Sequence, residues 1–329
     1  MTFLPDASLA HLRHVADLPD LSETRYQVLE QIGRGGMGTV YRVRDAALER
    51  DVALKVLTLA ESGDESARRL RRESRILAAL EHPGIVPVHD VGTLPDGRVF
   101  YTMKLVRGER LDQLAPTAGL PDRLRIFERI CETVAFAHAH GVIHRDLKPA
   151  NVMVGPFGEV LVLDWGVARV LREPAAADPG PADTHRVDAE TTAPGTVMGT
   201  PGYMAPEQAL GDINAIDQRT DVYGLGAILH YLLLGARPDQ SPAGRPAEIS
   251  RPLWAIMRRA LEADPGDRYP GASELAVDIA RFRDGEPVSA LPEGPLARTG
   301  RFISRYRTPI LLVLAYLVMR VVVLVVAGR

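Results

Sequence analysis

The sequence predicts an α+β fold in two lobes, and three observations carry that expectation. β-rich runs crowd the first third, helical periodicity dominates after about residue 110, and no internal repeat is visible. A length of 329 residues suggests about two folded units at roughly 150 residues each, ample for a sizeable core. Hydrophobic residues at 46% and charged residues at 25% exclude wholesale disorder. A net charge of −3 is too near neutral to predict a nucleic-acid partner. Cys131 is the one cysteine, which excludes a disulfide framework or a cysteine metal cluster and suits a reducing compartment.

Residues 1–24 hold neither a basic leader nor an apolar run of about 7–15 residues, so no secretory signal is expected. They read as a polar extension or a short docking helix. Strands are predicted at 26–32, 39–43 and 52–57, then a helix at 65–80 and strands at 85–91 and 99–103. Helices are predicted at 123–140, 220–234, 252–261 and 272–282. The folded domain is expected over 25–283, with a β-rich lobe at 25–106 and a helical lobe at 107–283. Residues 172–194 are rich in Pro, Ala, Asp and Thr, and so long a loop within a domain is functional or disordered. A polar, basic linker over 284–308 leads to an apolar segment at 309–327.

Gly33-x-Gly35-x-x-Gly38 lies between two strand-like runs. A strand rather than a helix follows it, which argues against a dinucleotide-binding turn. Glycines there let backbone N–H groups approach phosphate oxygens, although a ligand-free tight hairpin fits the same pattern. Lys55 continues the apolar run Val52-Ala53-Leu54, and a buried ammonium needs an anion. Glu73 shares the helix stripe of Leu70, Leu77 and Leu80, so it points inward with them. The two most simply pair; the alternative is that each snorkels to solvent. Asp146 and Asn151 flank a proline-braced loop in HRDLKPAN, and Asp164 follows the apolar run Leu161-Val162-Leu163. Asn151 and Asp164 offer the hard oxygen ligands that Mg²⁺ prefers, and Asp146 can take the proton of an attacking hydroxyl. Taken singly, any of the three also fits a polar residue decorating a surface turn.

The ordered set of glycine loop, Lys55, Glu73, HRDLKPAN, Asp164-Trp165-Gly166 and Ala205-Pro206-Glu207 resembles the eukaryotic-like Ser/Thr protein kinases of bacterial type, over about residues 26–282. The resemblance implies a bilobal protein kinase fold and transfer of the ATP γ-phosphate to Ser/Thr hydroxyls of proteins, with ATP and Mg²⁺ as cofactors. By resemblance, Gly33, Gly35 and Gly38 would cover the phosphates, and Ile32, Arg34, Gly36 and Met37 of the same loop would join the cofactor-binding set. Val40 and Ala53 would flank adenine, with Met103 as gatekeeper and Lys104 to Val106 as hinge. Lys55, paired to Glu73, would hold the α- and β-phosphates, and Asn151 and Asp164 the metal. Asp146 would orient the hydroxyl beside Lys148, whose presence favours Ser/Thr over Tyr substrates.

Trp165 departs from the family's usual Phe, and a repacked pocket with catalysis kept is expected. Arg145 implies a phosphate on the long activation segment from Asp164 to Glu207, where Thr191, Thr192 and Thr196 are the autophosphorylation candidates and Thr184 lies upstream. Autophosphorylation in trans would make a homodimer the partner. Thr200, Asp221 and the Glu207–Arg268 pair look like scaffold positions. A kinase-shaped scaffold without turnover and a small-molecule kinase are the competing readings, and the peptide-docking segment GTPGYMAPE argues against the second.

The apolar run at 310–327 carries one charge, Arg320, and a span needs about 20 residues with 17–25 tolerated. Arg298, Arg301, Arg305 and Arg307 precede it, which puts the kinase domain in the cytoplasm. Arg320 costs about 2.5–3.5 kcal/mol mid-segment, less than the leucines and valines return. A single-pass anchor in the lipid bilayer is expected; an amphipathic or hairpin element on the membrane surface is the alternative. Only Gly328 and Arg329 follow Ala327, so no external sensor domain is expected.

Overall fold

Strand alternation builds the small lobe. The computed structural model describes residues 18–35, 38–57, 64–165, 168–170, 200–212, 215–240, 244–292, 313, 315–317 and 319–320. β1 (Tyr26–Gly35), β2 (Gly38–Asp45), β3 (Arg50–Val56), β4 (Val88–Thr93) and β5 (Val99–Lys104) form one antiparallel sheet in the order β1-β2-β3-β5-β4. Val52, Leu54 and Val56 pack outward with Tyr41, Val43 and Phe100. The intervening Ala53 and Lys55 therefore face the other side. That side is covered by α1 (Asp64–Ala79), whose Leu70, Ile76 and Leu77 join Val99 and Tyr101 in the main core. Leu21 is buried in the outer cluster, and Arg98 donates to the Leu18 carbonyl at 3.0 Å, so residues 18–24 pack on the small lobe.

The strand predicted at 85–91 begins later, at Val88. Pro87 has no N–H to give the ladder, and its carbonyl accepts from Lys104 N at 3.1 Å at the sheet edge. Ile85 instead makes a lone parallel bridge to Val162 in the large lobe.

The large lobe holds α2 (Leu111–Leu114), α3 (Leu120–Ala139), α4 (Pro206–Ala209), α5 (Gln218–Leu234), α6 (Arg251–Ala260) and α7 (Ala272–Arg283). Short strands β6 (Glu109–Arg110), β8 (Val152–Val154) and β9 (Val160–Val162) pair in the order β6-β8-β9, and β7 (Val142–Ile143) pairs with β10 (Arg169–Val170). The fully buried Cys131 is a core residue of α3 beside Ile130 and Val134. α5 is buried nearly all round, capped by the Asp217 carboxylate on Arg219 N at one end and by left-handed Gly235 at the other. A Cβ on Gly224 would meet Leu147 Cβ at 2.9 Å, so a glycine is what lets this helix press against the loop carrying Asp146.

Two buried carboxylates lock the lower half. Glu207 receives both arms of the Arg268 guanidinium at 2.8 Å each and the Thr220 hydroxyl at 2.9 Å. Burial opposes the Glu207 charge, but these donors outweigh it and hold its pKa below the ordinary value. Asp278 on α7 accepts from Tyr269 OH, Ser289 N, Ser289 Oγ and Ala290 N at 2.9, 2.8, 2.8 and 3.0 Å. With Val288 buried beside them, these bonds fasten residues 288–290 to the lobe.

Val313, Ala315–Leu317, Met319 and Arg320 are helical and exposed, and among the described residues no helix is long and apolar enough to cross a membrane. Most of the predicted span at 310–327 lies outside the described residues, as do residues 1–17 of the N-terminal extension. Removing one partner of a buried pair strands the other charge, so Arg268→Ala should lower the unfolding free energy by about 3–5 kcal/mol in urea titrations.

Candidate active site

β3 and α1 bring the first two site residues together. Lys55 faces inward from the sheet, and Glu73 faces inward from the leucine stripe of α1. Lys55 Nζ donates to Glu73 Oε1 at 2.8 Å and to Oε2 at 3.1 Å, and lies 3.5 Å from Asp164 Oδ1. Tyr101 OH donates to the same Glu73 Oε1 at 2.9 Å. Burial works against the ammonium charge, but the Tyr101 oxygen, Glu73 and Asp164 outweigh it and hold the Lys55 pKa above that of an ordinary lysine.

The loop from His144 to Asn151 holds the rest. Arg145 and Asp164 have φ of 71° and 61°, a left-handed region costly for residues with a Cβ. Asp221, buried at the start of α5, holds the first of these turns by accepting from His144 N and Arg145 N at 2.8 Å each. His138 Nε2 contacts Asp221 Oδ2 at 2.8 Å. Burial alone would raise the Asp221 pKa; His138 and the backbone donors bring it below the ordinary carboxylate value. The His144 ring spans both turns, with Nε2 on the Leu163 carbonyl at 2.9 Å and Nδ1 accepting from Asp146 N at 3.2 Å. That pairing requires the proton on Nε2.

Asp146 receives three side chains. Lys148 Nζ donates to Oδ2 at 2.7 Å, Thr200 Oγ1 to Oδ1 at 3.0 Å, and Asn151 Nδ2 to Oδ2 at 3.2 Å and to the backbone carbonyl at 2.9 Å. Lys148 Nζ also reaches Thr200 Oγ1 at 2.6 Å. With its amide nitrogen so engaged, Asn151 keeps its Oδ1 for another partner. Next to Asp164, Trp165 is 1% exposed, its ring 4.6 Å from that of His144. Its indole N–H donates to the Val162 carbonyl at 3.1 Å, so the bulkier side chain is accommodated with its polar atom satisfied.

β1 and β2 form the hairpin over the cleft. Gly38 has φ of 129°, and a Cβ there would lie 2.3 Å from the Val56 carbonyl, so the approach of the hairpin to β3 demands glycine. Around Gly35 no described residue lies within 4 Å of such a Cβ. Between these strands and residues 105–113 lies a cleft of ≈ 670 Å³ whose lining includes Glu30, Ile32, Arg42, Leu105, Val106 and Met153. Met103 is the cross-strand partner of Ala53. The Lys104 N–H is taken by Pro87, so the carbonyl is what this hinge residue can offer.

Gly36, Met37, Gly166, Thr184, Thr191, Thr192 and Thr196 lie outside the described residues. Of the other predicted site residues, Ile32 and Val106 line this cleft, Lys55 meets Glu73 and Asp164, and Asp146 meets Lys148 and Asn151. Sequence reasoning missed Met153, Tyr101 and His144. Met153 was recoverable, since period-two alternation after Asn151 puts it on the cleft side of β8.

A small sheet stacked on a helical lobe, with an ion-paired lysine facing a loop aspartate, is the architecture of the protein kinases. The chain belongs to the protein kinase family: the profile of the protein kinase domain matches residues 26–276. It is 38% identical over 305 residues to the serine/threonine-protein kinase PknB of Mycobacterium tuberculosis, covering 85% of this chain and 46% of that one. To the serine/threonine-protein kinase PknD of Chlamydia caviae it is 35% identical over 321 residues, covering 88% and 34%. The crystal structure of the Mycobacterium tuberculosis PknI kinase domain matches with 30% identity and a TM-score of 0.57, over 78% of this chain and 96% of that one. The chain thus spans less than half the length of the curated relatives named here.

The lowered Asp221 pKa sets a sign for pH dependence. Its stabilisation is fully present above the ordinary value of 3.8 and is lost as pH falls through the depressed one. Urea unfolding should therefore show Asp221→Asn about 1–3 kcal/mol less stable than the parent near pH 6, with the gap closing on acidification below 3.8.

Proposed function

We propose that this chain is an ATP-dependent serine/threonine protein kinase, held at a membrane by its C-terminal apolar segment. The observation that carries the catalytic part is the environment of Asp146. A protein-borne hydroxyl, that of Thr200, already donates to its Oδ1 while Lys148 lies against both groups. A substrate serine or threonine hydroxyl would be oriented in the same way, with Asp146 accepting its proton as the phosphoryl group is attacked. Lys148 offsets negative charge beside it.

Lys55, already desolvated and aligned by Glu73, would face the phosphates from the opposite side. Val40, Ala53 and Met153 would sandwich adenine, with the Lys104 carbonyl and Val106 at the hinge. The donor set fits magnesium: the half-exposed Asp164 carboxylate and the Asn151 amide oxygen are hard ligands. Bound there, the metal would neutralise charge on the transferring phosphoryl group. This complete set supports turnover rather than a scaffold role.

Autophosphorylation at Thr191, Thr192 or Thr196, with the phosphate paired to Arg145, belongs to the same proposal, as does a second copy of the chain acting in trans. Incubated with ATP and Mg²⁺, the protein should phosphorylate itself and a generic basic protein, and Asp146→Asn should lower both rates by about 10²–10⁴-fold. Retained activity in that variant would refute the assignment.

Anchoring is supported by the apolar run 310–327 and by the arginines at 298, 301, 305 and 307 that precede it. The full chain should sediment with membranes and resist high salt, whereas a chain ending at residue 292 should remain in the supernatant. A full chain released by salt alone would replace the span with a surface-bound element.

A further inference from the structure

Tyr101 has no role in the chemistry above, yet it touches the ion pair. Strand alternation puts Val99 and Tyr101 on the α1 side of β5, while Phe100 packs with the outer cluster. The register makes Tyr101 the cross-strand partner of Lys55, and Lys55 Nζ lies 6.0 Å from the ring centroid. An aliphatic residue would fill this core position. A tyrosine brings a hydroxyl that needs a partner away from water, and it finds Glu73 Oε1 at 2.9 Å. Burial raises the tyrosine pKa, so the hydroxyl keeps the proton it donates.

Glu73 Oε1 thus receives two donors, Lys55 at 2.8 Å and Tyr101 at 2.9 Å, and both belong to the sheet. Glu73 rides on α1. The tyrosine bond therefore ties α1 to β5 whether or not Lys55 is engaged with an anion. An outward displacement of α1 would leave the Tyr101 hydroxyl buried and unpartnered, which disfavours that arrangement. We propose that Tyr101 is a positioning residue that keeps Glu73, and α1 with it, turned inward before nucleotide binds, so that Lys55 meets the phosphates already aligned. This rests on the ATP-dependent kinase reading. Preorganisation of this kind acts on apparent affinity, because a binding-competent state populated to a fraction f weakens Kd by 1/f.

The test is a double-mutant cycle on the full chain with Tyr101→Phe, Glu73→Ala and the pair, titrated with a fluorescent ATP analogue and Mg²⁺. Tyr101→Phe should raise Kd and the KM for ATP about tenfold, while kcat at saturating ATP stays within about threefold. In the Glu73→Ala background, where no acceptor remains for the tyrosine hydroxyl, the same change should have no further effect. An unchanged KM, or an equal weakening in both backgrounds, overturns the proposal. So does a lowered thermal midpoint with Kd and KM unmoved, since that would make Tyr101 a core residue only. If Tyr101→Phe folds poorly, Tyr101→Met is read by the same criteria. Failure of the kinase reading is separable: phosphoryl transfer would then be insensitive to Asp146→Asn, while the nucleotide-binding cycle remains interpretable.

Discussion

A lysine ammonium inside a sheet cannot stay without an anion, and the small lobe is arranged around that requirement. Lys55 points away from the outer cluster because its neighbours Leu54 and Val56 occupy the other face of β3. Its counter-charge comes from another element, so α1 must dock with Glu73 inward, and the leucines sharing that stripe enter the core with it. The pair is weak evidence for stability, since burying two charges costs about as much as their attraction returns. A pair of aliphatic side chains would hold α1 to the sheet equally well. What the ion pair adds is a cation stripped of water and aimed across the cleft.

The large lobe solves a matching problem with a buried carboxylate. Asp221 draws in the backbone of His144 and Arg145 and so supports a conformation that a non-glycine residue avoids. Gln208 Nε2 then donates to the Arg145 carbonyl at 2.8 Å, which joins the end of the activation segment to the same loop. The His144 ring links that loop to the carbonyl before Asp164. Buried charges in both lobes thereby brace the elements that carry Lys55 and Asp146.

Much of this was legible in the sequence where periodicity or a motif carried it. The stripe of Leu70, Glu73 and Leu77 announced an inward carboxylate, and the loop around Asp146 announced its own chemistry. The start of β4 was misplaced because the apolar content of Ile85 and Val86 outweighed the signal of Pro87. Tyr101 carried no signal beyond its place in a predicted strand, since the partner of its hydroxyl depends on a register no single-strand pattern encodes. Gly38 was assigned to phosphate approach, whereas its stronger constraint is the Val56 carbonyl. Contacts between residues far apart in sequence, such as Lys55 with Asp164, become visible only once the lobes are assembled.

Three of the bonds to Asp278 bear on distance. By holding Ser289 and Ala290 against α7, they move the point where the chain leaves the lobe past the end of the last helix. If the apolar segment is anchored as proposed, the stretch between 292 and 309 can extend no more than about 60 Å at 3.3–3.6 Å per residue. Asp278 then acts as the fixed end of a leash, and its length bounds the shell of membrane-proximal proteins whose hydroxyls the cleft can reach.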